Sequence, residues 1–206
     1  MKIIGLCGGS GCGKGMVSSL FLKLGIPSID TDLVYKEITS FRSSCIEALI
    51  EAFGESIAND DGSLNREVMR SKVFFDQNKE SNIKLLNQIT HKFILAETKK
   101  KICQYELEGK NMVIIDAPLL FESGFDKLCD VTVAVIADEE KRINRIMSRD
   151  GISYDHAKNR INSQISSSEL IKKVDLVIEN NGDVNELSNK VAEIYEHIVE
   201  NYFKEI

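Results

Sequence analysis

The sequence predicts an α/β fold built on a parallel five-stranded sheet, and three observations predict it. Short apolar runs recur at 2–7, 111–116, 131–137 and 176–179, the pattern that strands covered on both faces require, and 26–29 adds a short strand entered through Pro27. Helical periodicity fills the stretches between them. A glycine cluster, Gly8 to Gly13, follows the first run at once and opens into a helix.

Taken in order, Lys2 to Cys7 is β-branched, apolar and short, which reads as a buried first strand. Beyond the glycines, Val17, Leu20 and Leu24 recur at helical spacing, and Gly25 closes that helix. Ile26 to Ile29, entered through Pro27, forms the second strand, with Asp30 at its carboxyl end. From Asp32 to about Gly109 the patterns are mainly helical, broken by Gly54 and by the turn Asn59-Asp60-Asp61-Gly62. The longest helix there carries Leu86, Ile89, Phe93 and Ala96 on one face, with Lys99, Lys100 and Lys101 at its dipole-favoured end. Asn111 to Asp116, Val131 to Ala137 and Leu176 to Glu179 complete the strands. A last helix starts at Asp183 and Glu186, spaced as a capping-box variant, and repeats Leu187, Val191, Ile194 and Ile198 toward the sheet.

The 206 residues favour one compact domain with inserted subdomains, and 43% hydrophobic with 28% charged residues is a globular profile. A net charge of −6 argues against a general nucleic-acid coat, so anion binding must come from local clusters. The five cysteines, at 7, 12, 45, 103 and 129, fit neither a disulfide framework nor paired zinc ligands, which points to a reducing cytoplasm. The opening segment is too short for a signal-peptide core or a membrane span, so no membrane association is expected.

Gly8-Gly9-Ser10-Gly11-Cys12-Gly13-Lys14 has the spacing G-x-x-x-x-G-K between a strand and a helix. Glycines let successive N–H groups turn inward to phosphate oxygens, the helix adds its positive end, and the lysine reaches the β and γ phosphates. Gly9 to Gly13 and Lys14, with Gly15 and Met16 at the helix start, are the expected ATP-binding residues. Gly15 stands where Ser or Thr ordinarily offers Mg²⁺ a hydroxyl, so water is expected to take that coordination position.

Asp30 and Asp32 follow a strand whose carboxyl end faces the crevice of such a sheet, where a carboxylate can take the proton of an attacking hydroxyl. One of the two can equally cap the helix that follows. Asp116 closes Met112-Val113-Ile114-Ile115, the arrangement that holds Mg²⁺ or its water shell. Arg142, Arg145 and Arg149 are spaced by three and four residues and so share a helix face suited to covering phosphates.

The chain resembles the dephospho-coenzyme A kinases over nearly its whole length. The resemblance rests on the glycine-rich opening, Ile29-Asp30-x-Asp32, Gly62-x-Leu64-x-Arg66, Leu86-Asn87 with His91, and Asp116-x-Pro118-Leu119-Leu120-Phe121-Glu122. It continues through Arg145, Arg149, Arg160-Ile161 with Gln164, and Asp175-x-Val177-Ile178-x-Asn180-x-Gly182. It implies a P-loop NTPase fold like that of the nucleoside monophosphate kinases. The nucleotide core would span about 1–31, 110–138 and 174–206, the helical substrate insert 32–109 and the lid 139–173.

The implied reaction is ATP-dependent phosphorylation of the ribose 3′-hydroxyl of dephospho-coenzyme A, with Mg²⁺ entering with ATP and no obligatory protein partner. Asp32 matches the family's base, Lys14 its phosphate lysine, and Arg145 and Arg149 its lid arginines, with Arg142 also on the nucleotide. Asp30, Asp32, Arg66, His91, Pro118 and Leu119 fall on the acceptor side, and Asp116 on the metal through water. Tyr35-Lys36 departs from the common Ala-Arg, and Lys92 from a frequent Pro after His91. With Gly15, these departures leave open a silent nucleotide-binding homologue or a related kinase with another nucleoside or nucleotide acceptor.

Overall fold

The structure, a computed structural model, describes residues 1–75 and 77–203. Asp76 of the expected insert and residues 204–206 of the expected core lie outside the described residues. The chain divides into two compact units, Met1–Ser28 with Tyr105–Ile206, and Ile29–Gln104.

The first unit is built on the sheet. The sheet's strands are β1 (Lys2–Cys7), β2 (Ser28–Asp30), of which only Ser28 falls in this unit, β3 (Met112–Asp116), β4 (Val131–Ile136) and β5 (Leu176–Glu179), in the order β2-β3-β1-β4-β5. β1 runs parallel to β3 and β4, and β4 parallel to β5. The second strand starts later than 26–29 because Ile26 gives its N–H to Phe21 O and Pro27 has none to give. Pro27 instead accepts from Ile114 of β3.

Helix α1 (Lys14–Lys23) sets Val17, Leu20 and Phe21 against Ile4, Leu6, Ile114 and Val133, and α9 (Val184–Tyr202) adds Leu187, Val191 and Ile198 to the same core. The α9 cap is half of the expected box: Asp183 accepts from the N–H groups of Asn185 and Glu186, and the Glu186 carboxylate lies over Gly182. A full box forms instead at Ser166 and Glu169, ahead of α8 (Ser167–Ile171). With α6 (Glu139–Asp150) and α7 (Tyr154–Asn162), α8 occupies the stretch expected as a lid, and Ile143, Ile146, Ala157 and Ile161 give α6 and α7 a core of their own.

The second unit is helical: α2 (Thr31–Ile38), α3 (Ser44–Phe53), α4 (Arg66–Phe74) and most of α5 (Lys79–Leu107). Cys45, Ile46 and Leu49 of α3 pack with Ile57, Leu64, Met69 and Val73, and Leu86, Ile89 and Phe93 of α5 close over them. Ala96 is exposed, the inward positions being Thr90, Ile94 and Thr98. The helix runs on to Leu107, so Lys100 and Lys101 do not sit at its end; they pair with Glu97 and Glu37. Among the described residues no helix is long and apolar enough to cross a membrane.

Candidate active site

β1 is the middle strand, and its end at Cys7 lies between β3 and β4, so the glycine loop leaves from the centre of the sheet's carboxyl edge. Gly11 and Gly13 sit in the left-handed region at φ 77° and 92°. A Cβ at Gly11 would come within 2.5 Å of Arg142 O, and one at Gly13 within 2.1 Å of Asn180 Nδ2, so both conformation and space demand glycine. Gly13 caps α1 with no side chain. Among the described residues the N–H groups of Gly11, Gly13 and Gly15 find no hydrogen-bond partner in the protein. Donors left unpaired at a helix start, with the positive dipole end behind them, form an anion receptor.

Lys14 stands in that receptor, its ammonium paired with Asp116 Oδ1 at the end of β3. The two side chains are 16% and 5% exposed, so the pair is largely out of water. Cys12, in the loop, is buried, and burial raises its thiol pKa against the opposing pull of the Lys14 N–H and ammonium. Cys7 behind it is pushed up to about 12, first by burial. Neither is a nucleophile at neutral pH.

Around the loop stands a frame of side chains. Arg142, only 5% exposed, donates from Nε to Ser10 O at 2.9 Å and from NH2 to Gln164 Oε1 at 3.4 Å. Gln164 Oε1 also accepts the Ser10 N–H at 2.8 Å, and its Nε2 donates to Ser10 Oγ at 3.2 Å. Every polar group of Ser10 is thereby used by the α6–α8 segment. Arg145 donates to Gly11 O, Cys12 O and Asn180 O at 3.2, 3.4 and 3.0 Å, and Asn180 Nδ2 donates to Cys12 O at 2.8 Å. Arg142 and Arg145 thus hold the loop by its carbonyls, which turns its N–H groups the other way. Arg149 is exposed and forks onto Asp150, which also receives Arg160; the Arg149 bond, then the Arg160 bond, holds the Asp150 carboxyl down at about 2.

Gly15 lies in the first turn of α1, and a Cβ there would meet nothing within 4 Å. Met16 is exposed beside it. Past Asp116, Pro118 is half-buried and Leu119 exposed.

The remaining expected residues belong to the second unit. Asp30 is the cap of α2, its Oδ1 accepting from Asp32 N at 2.8 Å and Leu33 N at 3.1 Å. Asp32 is exposed in the first turn. His91 is half-buried on α5. Arg66 opens α4, donates to Thr39 Oγ1 at 3.0 Å and lies 5.4 Å from the centre of the Tyr35 ring.

Within the first unit, then, the expected loop, Lys14, Asp116, Arg142 and Arg145 meet at one place, while Arg149 is engaged with Asp150. Sequence reasoning gave no role to Gln164 or Asn180, although both stood in the motifs that carried the resemblance; nothing local marks a glutamine as the partner of a loop 154 residues away.

A family model described as dephospho-CoA kinase matches residues 2–186. The dephospho-CoA kinase of Fusobacterium nucleatum is 39% identical over 96% of this chain and 99% of its own, and that of Lactobacillus johnsonii 35% identical over 95% and 97%. A crystal structure of a Thermus thermophilus protein superposes with a TM-score of 0.75 at 28% identity, covering 96% of this chain and 97% of that one.

Proposed function

The chain belongs to the dephospho-CoA kinase family, and from that premise we propose that it moves the γ-phosphoryl group of ATP to the ribose 3′-hydroxyl of dephospho-coenzyme A, giving coenzyme A and ADP. It is a transferase of coenzyme A biosynthesis. The observation that carries the chemistry is the receptor loop, whose unpartnered N–H groups at Gly11, Gly13 and Gly15 surround the start of α1 next to the Lys14 ammonium.

In the proposed reaction the N–H groups of the loop and Lys14 hold the β and γ phosphates, and the frame of Arg142, Arg145, Gln164 and Asn180 keeps the loop from relaxing as charge moves. The acceptor oxygen bonds to the γ phosphorus as the bond to the bridging β–γ oxygen breaks. The hydroxyl proton passes to the Asp32 carboxylate, and ADP leaves with the bridging oxygen. Arg149 is assigned to the developing charge on the transferred group; its exposed pairing with Asp150 is one that phosphate can displace. Arg66 and His91, with Pro118 and Leu119, are assigned to the acceptor.

Among the described residues no cluster of three His, Cys, Asp or Glu could hold a metal ion unaided. That fits an ion carried by ATP, since Mg²⁺ keeps several waters and takes one or two carboxylates plus phosphates. Asp116 is the carboxylate in place, through water, and the open space at Gly15 has room for a further water. Such an ion supplies positive charge to the β and γ phosphate oxygens. Five free cysteines support a reducing, cytoplasmic setting.

An assay of ADP release with ATP, Mg²⁺ and dephospho-coenzyme A, run against a nucleoside and a nucleoside monophosphate as competing acceptors, tests the reading. Turnover confined to dephospho-coenzyme A, with a new ribose 3′-phosphomonoester by phosphorus NMR, is expected. Equal use of the other acceptors would overturn it.

A further inference from the structure

Arg66 occupies the first helical position of α4, the end of a helix where a cation is disfavoured by the dipole. Such a placement serves something other than the helix. The guanidinium is held on two sides, by α2 and by that helix's C-cap residue Thr39. Its NH2 donates to Thr39 Oγ1, and its carbon lies 5.4 Å from the centre of the Tyr35 ring, within cation–π range.

Both holders are themselves fixed. Tyr35 packs against the core of the second unit. Thr39 is 1% exposed, and its hydroxyl proton is already given to Tyr35 O at 2.7 Å, so the oxygen has only acceptance left to offer Arg66. Thr39 O in turn accepts the Leu64 N–H at 3.0 Å, which ties the end of α2 to the segment leading into α4. Among the described residues Arg66 makes no other hydrogen bond or ion pair, so Nε and NH1 keep their donors, and no carboxylate neutralises the charge.

We infer that Tyr35 and Thr39 are positioning residues for the acceptor: they fix the Arg66 fork with its remaining N–H donors presented to an anionic phosphate group of dephospho-coenzyme A. The inference rests on the proposed acceptor. A guanidinium with a planar fork gains most from such fixing, because less side-chain freedom is lost when the anion arrives. Tyr35 here stands one position before Lys36, where a lysine replaces a common arginine. The aromatic clamp thus fixes an arginine fork in the same unit as that replacement.

The test is a set of steady-state measurements with both substrates. Arg66→Ala should raise KM for dephospho-coenzyme A and leave KM for ATP within twofold. Tyr35→Leu, which keeps apolar bulk, and Thr39→Val, which keeps shape, should each raise the acceptor KM about threefold to tenfold with kcat nearly unchanged. Tyr35→Phe should restore it to within twofold, since the ring and not the hydroxyl makes the contact. In an Arg66→Ala background, Tyr35→Leu should add nothing further. If Arg66→Ala leaves the acceptor KM alone, the assignment of Arg66 to the acceptor fails and the inference with it. If Arg66→Ala raises it while Tyr35→Leu and Thr39→Val do not, or if Tyr35→Leu acts equally without Arg66, the assignment stands and the clamp is overturned.

Discussion

At the scale of single residues, the Asp30 and Asp32 pair divides into two roles. Asp30 Oδ1 accepts from two N–H groups of α2 and so caps the helix, and Asp32 is the carboxylate proposed to take the hydroxyl proton. Asp32→Asn should lower kcat about 10²- to 10⁴-fold with little change in KM for ATP. Asp30→Ala should instead take about 1 kcal/mol from stability, read as a lower melting temperature, because a cap is lost. A larger fall in kcat for Asp30→Asn than for Asp32→Asn would reverse the roles. Gly15 is a second position where geometry sharpens an expectation. A serine there meets open space and an ordinary helical backbone, so Gly15→Ser should fold normally, lower the Mg²⁺ concentration needed for half-maximal rate and raise turnover. An unchanged Mg²⁺ curve would mean that the hydroxyl position is already served by another group. Lys14→Ala should lower transfer at least about a hundredfold. It should also unfold at a lower temperature, since Asp116 would keep a largely buried charge without its ammonium partner.

At the scale of elements, four of the five strands were legible almost to the residue, because a parallel strand covered on both faces must be a continuous apolar run, while the second, expected at 26–29, starts only at Ser28. The cradle was equally legible, its glycines being fixed by backbone conformation. Its frame was not. Spacing put Arg142, Arg145 and Arg149 on one face of α6 suited to phosphates, but it cannot say that Arg142 and Arg145 turn toward the carbonyls of Ser10, Gly11 and Cys12 while Arg149 engages Asp150. Gln164 gave no local signal at all, since its partner Ser10 is distant in sequence. The misplacement of Lys99 to Lys101 has a similar cause: α5 continues because nothing before Gly109 breaks it, and lysines alone do not end a helix. The frame yields its own expectation. Gln164→Ala removes the acceptor of the Ser10 N–H and one acceptor of Arg142, so KM for ATP should rise about tenfold while KM for dephospho-coenzyme A hardly moves. A KM for ATP that stays put would show that the loop holds its shape without the α7–α8 connection.

At the scale of the whole molecule, the thiols report on the two units separately. Cys7 and Cys129 lie in the sheet unit and Cys45 in the helical one, and burial, the largest cause in each case, pushes their thiols up to about 12, about 12 and about 11. An unfolded chain begins to lose thiol protons near pH 9, so between there and pH 12 the folded protein binds more protons than the unfolded one. Stability from these groups is therefore complete below pH 9 and falls as pH rises, by about 1.4 kcal/mol per pH unit for each thiol. Replacing Cys7 or Cys129 with alanine should flatten the alkaline limb of a denaturant-stability profile by about that slope, against a fixed offset for lost packing. Alkylation at pH 8 then separates the units, because a buried protonated thiol reacts only when its surroundings open. Exposed Cys103 should react at once. Cys45 should follow before Cys7, since residues 29–104 form the smaller unit and a small core buries a smaller fraction of its surface. Saturating ATP should slow Cys7 and leave Cys45 less affected, because the loop proposed to hold the nucleotide, Gly8 to Lys14, lies wholly in the sheet unit and ligand binding stabilises what it binds. Equal rates for Cys45 and Cys7 under all conditions would mean that the two units open as one cooperative body.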